Sequence, residues 1–275
     1  MVCPDTLDLG ALADPAIVRQ SILMKHQVIS AAVPLRTRIR LALERASPRF
    51  AKLATIAATG SYEIMPPRRT YAAPGLHRHI ERLFPQRDGF FVEAGGFDGL
   101  FQSNTAYLER YRGWRGILIE PIPHKFVECL GNRPQAQVVH AGLVPIGDER
   151  PHVELIYGNA MTLTTDSIIN ATYQLNLANG CCHSDPHLHS QCFLAPARSL
   201  DSIFADYGYP TIDLFSLDVE GAEMSALLGI DFNRSRPLRF LIETGQLDAV
   251  GALMADKGYV MTERLSGHDY LFEAR

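Results

Sequence analysis

The chain has 275 residues, of which 47% are hydrophobic and 20% charged, the balance of an ordinary globular protein with a sizeable core. Its formal net charge of −4 argues against a nucleic-acid-binding protein, because neutralising phosphates needs a basic surface. Five scattered cysteines do not indicate a disulfide framework, and no apolar stretch reaches the roughly 20 residues that span a bilayer. Since no N-terminal signal pattern is found, we expect a cytoplasmic protein without a membrane partner.

Residues 1–87 are predicted to form a helical extension before the main domain. The segment Ile17–Arg45 is rich in Leu, Ile, Ala and Arg and is interrupted by Pro34, which predicts two helical pieces. The second piece is one-sided, so we expect it to pack on the main domain or on a second copy in a homodimer. Binding to a membrane or an acidic ligand is the alternative. A linker at Met65–Arg69 and a short helix at His77–Phe84 follow.

Residues 88–275 carry short apolar runs that alternate with helical segments, the pattern of a parallel sheet covered on both faces. The predicted strands are Phe90–Ala94, Gly116–Glu120, Gln137–Ala141, Ile212–Asp218, Leu238–Thr244, Tyr259–Glu263 and Tyr270–Glu273. The predicted helices are Ser103–Tyr111, His124–Leu130, Leu200–Tyr207, Ala222–Leu228 and Gln246–Asp256. No helix separates the last two runs, so a seven-stranded α/β sheet ending in an antiparallel hairpin is expected. This Rossmann-like layout is that of class I methyltransferases, whereas dehydrogenase domains do not end in this way.

A glycine-rich turn follows the first predicted strand. Gly95 and Gly99 permit positive φ angles and let a bulky ligand approach the backbone. The turn lies at the carboxyl end of the sheet, where open α/β sheets bind ligands. The carboxylates of Glu93 and Asp98 suit a positively charged ligand such as S-adenosylmethionine and would repel a pyrophosphate. The spacing Gly-Gly-x-x-Gly also differs from the G-x-G-x-x-G of dinucleotide-binding proteins.

Further candidate cofactor residues stand at the ends of the next predicted strands. Glu120 ends the second strand about 25 residues after Gly95, where a carboxylate can accept both ribose hydroxyls of an adenosyl group. Pro121, which follows it, and Gly142, which follows the third strand, are assigned to the same site. Asp218 ends the fourth strand and is expected to face the methyl group of the cofactor.

Together these strings resemble the FkbM family of methyltransferases. The resemblance rests on the turn Glu93–Gly99 with Ser103-Asn104-Thr105 after it, on Trp114–Pro121, on Leu200–Ile203 and on Ser216–Glu223. It covers roughly residues 88–275, without the stretch Gly158–Gln191. It implies S-adenosylmethionine as cofactor, with Ser103 and Asn104 in its site, and a hydroxylated sugar, polyketide or other small metabolite as methyl acceptor.

Methyl transfer to a hydroxyl oxygen requires that the protein position the acceptor and remove its proton. Asp218 and Glu243 end neighbouring predicted strands and are the candidate catalytic carboxylates. They are expected either to hold the acceptor by hydrogen bonds or to bind a Mg²⁺ ion, which prefers oxygen ligands and lowers the pKa of a bound hydroxyl.

An unusual segment spans Cys181–Cys192, in which three cysteines and three histidines occur within 12 positions. Three interpretations stay open: a Zn²⁺ site, a loop over the substrate, or a solvated loop without a special role. In the second, His183 or His187 is the general base, since imidazole titrates near neutral pH. The length of the connection favours a lid.

Two rival functions also fit a Rossmann-like domain. An NAD(P)-dependent oxidoreductase is disfavoured by the glycine spacing and by the terminal hairpin. A non-catalytic subunit that binds S-adenosylmethionine is disfavoured by the intact Glu93, Glu120 and Asp218. The sequence therefore predicts an O-methyltransferase with a small acceptor.

Overall fold

A computed structural model describes residues 71–73, 75–167 and 191–275. The chain divides into two compact units, Met1–Arg68 and Arg69–Arg275, and every described residue belongs to the second. The predicted helices within Ile17–Arg45 and most of the predicted linker Met65–Arg69 belong to the first unit, and both lie outside the described residues. No helix in the described ranges is long and apolar enough to cross a membrane.

Two sheets form the described unit. In chain order the strands are β1 (Phe90–Ala94), β2 (Arg115–Ile119), β3 (Ala136–Val139), β4 (Gly142–Leu143), β5 (His152–Ile156), β6 (Leu163–Thr164), β7 (Cys192–Arg198), β8 (Leu214–Leu217), β9 (Arg239–Glu243), β10 (Tyr259–Arg264) and β11 (Asp269–Ala274). The helices are α1 (Leu76–Leu83), α2 (Ala106–Arg112), α3 (Pro123–Asn132), α4 (Leu200–Asp206), α5 (Glu223–Leu227) and α6 (Leu247–Asp256).

The larger sheet has seven strands in the order β10-β11-β9-β8-β1-β2-β3. Strands β3, β2, β1, β8 and β9 run parallel, whereas β11 is antiparallel to both β9 and β10. The predicted α/β fold is confirmed, and the sheet has the strand number and the antiparallel hairpin that the sequence predicts. Because the parallel strands all end at one edge, their carboxyl ends bring polar side chains together there.

The two faces of the sheet carry separate hydrophobic cores. Successive residues of a strand point to opposite faces, so Val92 packs with α4, α5 and α6 while its neighbour Phe91 packs with α1 and α2. Each fully buried Phe or Val contributes about 1.5–3 kcal/mol. Helix α1, which the sequence places in the N-terminal extension, joins the second core through Leu76 and Ile80. The domain boundary after residue 87 stays a prediction.

Local sequence signals set several helix ends. Pro123 occupies the first turn of α3, where its missing N–H has no intrahelical partner to lose. The Ser199 hydroxyl caps α4 by accepting from the Ser202 backbone N–H at 3.2 Å. Helix α2 ends at Gly113, whose φ of 74° suits glycine. These ends fix where the following strands begin.

The smaller sheet has the order β4-β7-β5-β6, and the sequence interpretation does not predict it. Val144, Val153, Leu155 and Ala195 form its apolar core. A methyl group on Gly142 would lie 2.8 Å from the Val153 Cβ, so glycine lets β4 pack closely on β5. The sequence places the stretch from residue 158 to 195 in a loop, but β6 and the start of β7 lie within it.

Candidate active site

A cavity of about 1030 Å³, partly open to solvent, lies at the carboxyl ends of the parallel strands. This is the edge where open α/β sheets bind their ligands. The larger sheet contributes Gly95, Ile119, Glu120, Asp218 and Glu243, and the smaller sheet contributes Gly142, Leu143, Leu155 and Thr164. The unpredicted sheet therefore forms one wall of the pocket.

Glu120 is buried directly after β2 and lines this pocket. Its carboxylate accepts from the Phe97 backbone N–H at 2.6 Å and from the Ile122 backbone N–H at 2.8 Å. Burial raises the pKa of Glu120 to about 8. A carboxylate offers about four acceptor positions, so two remain for the two hydroxyls of a ribose. Apolar side chains and the predicted Pro121 and Gly142 line the adjoining space and suit an adenine ring.

The glycine turn joins the ends of β1 and β8. Gly95 has a φ of 89°, and a Cβ at this position would lie 1.7 Å from the Asp218 carbonyl oxygen. The Asp218 backbone N–H donates to the Ala94 carbonyl at 3.0 Å. Only glycine permits this approach, which brings the Asp218 end of β8 against the cofactor turn.

Glu93 and Asp98 support the turn, and the structure does not place either side chain on the pocket wall. The Asp98 carboxylate accepts from the backbone N–H groups of Leu100 and Phe101. The Glu93 carboxylate is buried and accepts from Ser103 Oγ and from the Asn104 backbone N–H, both at 2.9 Å. In the structure Glu93 and Asp98 shape the turn, and their predicted attraction to the cofactor's positive charge stays a prediction.

Gly99, Ser103 and Asn104 also lie behind the pocket wall. Asn104 Nδ2 donates to Ser216 Oγ at 3.0 Å and so ties the start of α2 to β8. Gly99 has a φ of 83°, and its carbonyl accepts from Arg133. The structure brings these predicted cofactor residues next to the site and gives them internal partners.

Arg133 is the residue of this region that the sequence interpretation missed. It is fully buried, and its guanidinium pairs with Glu93 at 3.1 Å and with Glu109 at 2.6 Å. It also donates to Thr105 Oγ1 at 2.7 Å and to the Gly99 carbonyl at 3.1 Å. The arginine therefore connects the end of α3 to the glycine turn and the start of α2. Arg133, Glu93 and Glu109 are called the arginine cluster below.

A second group of carboxyls, here called the pocket cluster, comprises Asp218, Glu220 and Glu243, which are half-buried and all line the cavity. Asp218 and Glu243 lie side by side at the ends of β8 and β9, because Leu217 pairs with Ile242 in the sheet. Burial and the neighbouring carboxylates raise the pKa of Asp218 well above its ordinary value and that of Glu220 to about 8. Within the described residues, no lysine or arginine forms an ion pair with these three carboxyls.

Backbone strain is concentrated around the pocket. Six described non-glycine residues have positive φ angles, and four of them line the cavity. These are Phe97, Gln102, Asn159 and Glu220. Such conformations cost on the order of 1–3 kcal/mol each and cluster at functional sites. The strain at Glu220 is part of the turn after β8 that keeps its carboxyl on the pocket wall.

Glu223 holds this turn in place, which accounts for the string Asp218–Glu223. Its carboxylate accepts from the Gly221 backbone N–H at 2.7 Å and from Thr244 Oγ1 at 3.3 Å. Thr244 Oγ1 in turn accepts from the Gln246 backbone N–H at 3.0 Å. Two acidic residues of the string thus face the pocket, and the third fastens the turn to the end of β9.

The residues present do not match the predicted Mg²⁺ site. The described side chains that converge around Glu243 are instead His268 and Asp269, with potential ligand atoms within 4.8 Å of one another. Mg²⁺ prefers an octahedral set of oxygen ligands, and an imidazole does not provide one.

Of the histidines that bear on this site, only His268 lies in the part of the chain that the structure describes. The predicted general bases His183 and His187 lie outside the described residues, as does most of the segment Cys181–Cys192. His268, in the turn between β10 and β11, lies 3.4 Å from a Glu243 carboxylate oxygen, and 61% of its side chain is exposed. The sequence alone did not separate this histidine from an ordinary exposed turn residue.

The sheet order, the glycine turn and the carboxylate after β2 together define a class I, S-adenosylmethionine-dependent methyltransferase. The model of the methyltransferase FkbM domain matches residues 93–261, which is more than half of the chain. The chain therefore belongs to the FkbM methyltransferase family. No curated protein sequence matches it.

Solved structures of methyltransferases are similar to this chain at low sequence identity. An FkbM methyltransferase from Methylobacillus flagellatus KT has 13% identity and a TM-score of 0.41, with 94% of this chain and 60% of that chain covered. A TehB-like SAM-dependent methyltransferase from Corynebacterium glutamicum has 12% identity and a TM-score of 0.38, with 86% and 99% covered. A SAM-dependent methyltransferase from Aquifex aeolicus has 7% identity and a TM-score of 0.39, with 74% and 93% covered.

Proposed function

We propose that the protein transfers the methyl group of S-adenosylmethionine to a hydroxyl oxygen of a small metabolite or sugar. One observation carries the proposal: the carboxyls of Asp218 and Glu243, at the ends of two paired strands, both line the pocket, and the Asp218 backbone lies against the glycine turn. A hydroxyl is a weak nucleophile until its proton is removed, and a carboxyl whose pKa is raised toward neutrality is suited to that task.

The residues of the pocket would have separate roles in binding the donor and in the reaction. Glu120 would hold the ribose, and Gly95 would leave room for the donor at the backbone. The donor supplies an electrophilic methyl group whose leaving group is a neutral thioether. The Asp218–Glu243 pair would orient the acceptor hydroxyl in line with that methyl group and take its proton.

The charge of the pocket supports a small acceptor that is neither a nucleic acid nor a phosphate ester. Four carboxyls line the cavity: Glu120, Asp218, Glu220 and Glu243. None of the described residues that line the cavity is basic, whereas phosphate groups need basic residues to neutralise them. We also propose a cytoplasmic location, which the sparse cysteines suggest. We further propose that the protein forms a homodimer through residues 17–45.

Incubation with a methyl-labelled donor and fractionated metabolites tests the acceptor class. We expect label on oxygen in a hydroxylated fraction, with equal yield with and without a chelator. The variant Asp218→Asn should lower kcat by about 10²–10⁴-fold, the usual contribution of general acid–base catalysis, and should still bind donor. Label attached to nitrogen or carbon would contradict the proposal, and loss of transfer with the chelator would restore the metal alternative.

The variant Glu120→Gln tests the cofactor site separately from the chemistry. The amide cannot accept both ribose hydroxyls, and a hydrogen bond to a charged group contributes about 1.5–3 kcal/mol. We expect the Kd of the donor, measured by calorimetry, to rise about 10–100-fold. Glu128→Gln, which changes an exposed carboxylate of α3, is the matched control and should leave the Kd unchanged. Equal donor affinities in Glu120→Gln and Glu128→Gln would show that Glu120 does not bind the donor.

A further inference from the structure

The pocket cluster continues to the protein surface through a histidine. Asp218 and Glu243 line the same pocket at the ends of two paired strands, and from Glu243 a 3.4 Å contact leads to Nε2 of His268. His268 does not line the cavity, and 61% of its side chain is exposed to solvent. Three titratable groups therefore follow one another from the reacting centre to water.

We propose that Asp218, Glu243 and His268 form a proton path along which the acceptor's hydroxyl proton leaves the pocket, with His268 as the exit residue. The inference rests on the proposed O-methylation, which releases one proton for each methyl group transferred. His268 acts through Glu243 and makes no contact with the acceptor in this scheme. Imidazole side chains commonly serve as proton shuttles in proteins.

The proton balance of the step is as follows. The bond between acceptor oxygen and methyl carbon forms as the sulfur–carbon bond breaks, and the bonding electron pair stays on sulfur as a neutral thioether. One oxygen of Asp218 takes the hydroxyl proton while its other oxygen gives a proton to Glu243. Glu243 passes a proton to Nε2 of neutral His268, and the resulting imidazolium loses a proton to water. Asp218 and Glu243 return to their starting protonation states.

The turn that carries His268 is held by its own hydrogen bonds. Ser266 Oγ accepts from the backbone N–H groups of His268 and Asp269, both at 3.1 Å, and bonds to the Asp269 carboxylate. The His268 carbonyl accepts from the Thr244 backbone N–H at 2.9 Å, which fixes the turn against the end of β9. These bonds hold the imidazole next to Glu243.

The charged groups around the imidazole are few. Glu243 faces it from β9, and the Asp269 carboxylate lies 4.0 Å from Nε2 on β11. Arg264 of β10 donates to the carbonyls of Ser266 and Gly267. The two carboxylates therefore face the imidazole, whereas the guanidinium of Arg264 is directed to the turn carbonyls.

The variant His268→Gln tests the path, with the metabolite fraction that the wild-type protein methylates as the probe. We expect kcat to fall about tenfold or more, below the full contribution of a general base, with the KM of the donor unchanged. Added imidazole should restore the rate, because a small base can reach the exposed Glu243 edge. His152→Gln, which changes an exposed histidine of β5, is the matched control and should keep wild-type kcat.

Three results would overturn the path. An unchanged kcat in His268→Gln would show that protons leave by another route. A reduced kcat that imidazole does not restore, combined with inhibition by a chelator, would show that Glu243, His268 and Asp269 hold a cation. A wild-type protein that binds the donor but labels no hydroxyl would end the proposed function and the path with it, whereas the first two results leave that function standing.

Discussion

The arginine cluster and the pocket cluster place carboxyls at the same edge of one sheet, yet they differ in their partners. Arg133 pairs with both Glu93 and Glu109 and is itself fully buried. The carboxyls of the pocket cluster have no such cation among the described residues, and burial together with the neighbouring carboxylates raises their pKa values. A paired buried charge is fixed and shapes the backbone, whereas an unpaired one is ready to exchange a proton or meet a cationic ligand.

The largest effect is expected when the pairing in the arginine cluster is broken. Arg133→Ala leaves two buried carboxylates without their counterion, which costs about 3–5 kcal/mol when one partner of a buried pair is removed. We expect urea denaturation to show a loss of that size in the free energy of unfolding. The glycine turn should loosen as well, because the Gly99 carbonyl and Thr105 lose a donor.

Arg82→Ala provides the surface comparison for that experiment. Arg82 pairs with Glu263 at 2.6 Å, but its side chain is 55% exposed. Exposed ion pairs contribute about 0–1 kcal/mol, so this variant should unfold nearly like the wild type. Equal losses in the two arginine variants would show that the arginine cluster is no more important to the fold than a surface pair.

The pocket cluster should change how the free energy of unfolding depends on pH. The pKa of Glu220 is about 8 in the folded protein against an ordinary value of 4.5. Between these values the folded state holds a proton that the unfolded state has lost, so the free energy of unfolding falls as the pH rises. Glu220→Gln stays neutral, so it should flatten that fall and gain at least about 1.4 kcal/mol above pH 8, the equivalent of one pKa unit.

Urea denaturation of the protein without cofactor, across this pH range, measures the effect. Glu128→Gln is again the surface control, because its carboxylate is exposed and paired only with Lys125 at 3.0 Å. Parallel stability curves for the wild type and Glu220→Gln would mean that Glu220 ionises in the folded protein as it does in the unfolded chain.

Much of the larger sheet could be predicted from the sequence, whereas the smaller sheet could not. The inner strands β1, β2 and β8 are apolar runs bounded by glycine or acidic residues, and both of their faces are buried. In the smaller sheet β4 and β6 have two residues each, too few for any periodicity. Strand β7 contains Pro196, which argues against an inner strand, although β5 alternates exposed and buried residues.

The candidate site, too, could be predicted from the sequence only in part. Glu120, Asp218 and Glu243 could be predicted because a carboxylate after an apolar strand lies at a known edge of the sheet. The correct role of Glu93 could not, because it depends on Arg133, which is 40 positions away in the chain. Likewise, only the antiparallel pairing of β9 with β11 brings His268 to Glu243. Sequence order carries no signal for such contacts.

The smallest expected effect tests whether Glu223 belongs with the residues that shape the turn or with the pocket cluster. It is buried near the pocket cluster but is bonded to Gly221 and Thr244, as a residue that shapes the turn would be. Thr244→Val keeps the shape of the side chain and removes two hydrogen bonds, so we expect a loss of about 1 kcal/mol in the free energy of unfolding.

The Kd of the donor should not change in Thr244→Val, and Thr244→Ser, which keeps the hydroxyl, should retain wild-type stability. If Thr244→Val instead weakens donor binding as strongly as Glu120→Gln, Glu223 acts on the ligand. Glu223 would then have to be counted with the pocket cluster, because a carboxylate that only fastens a turn should affect folding and leave ligand affinity alone. The division between the two kinds of buried carboxyl therefore depends on whether stability and affinity can be changed separately at this position.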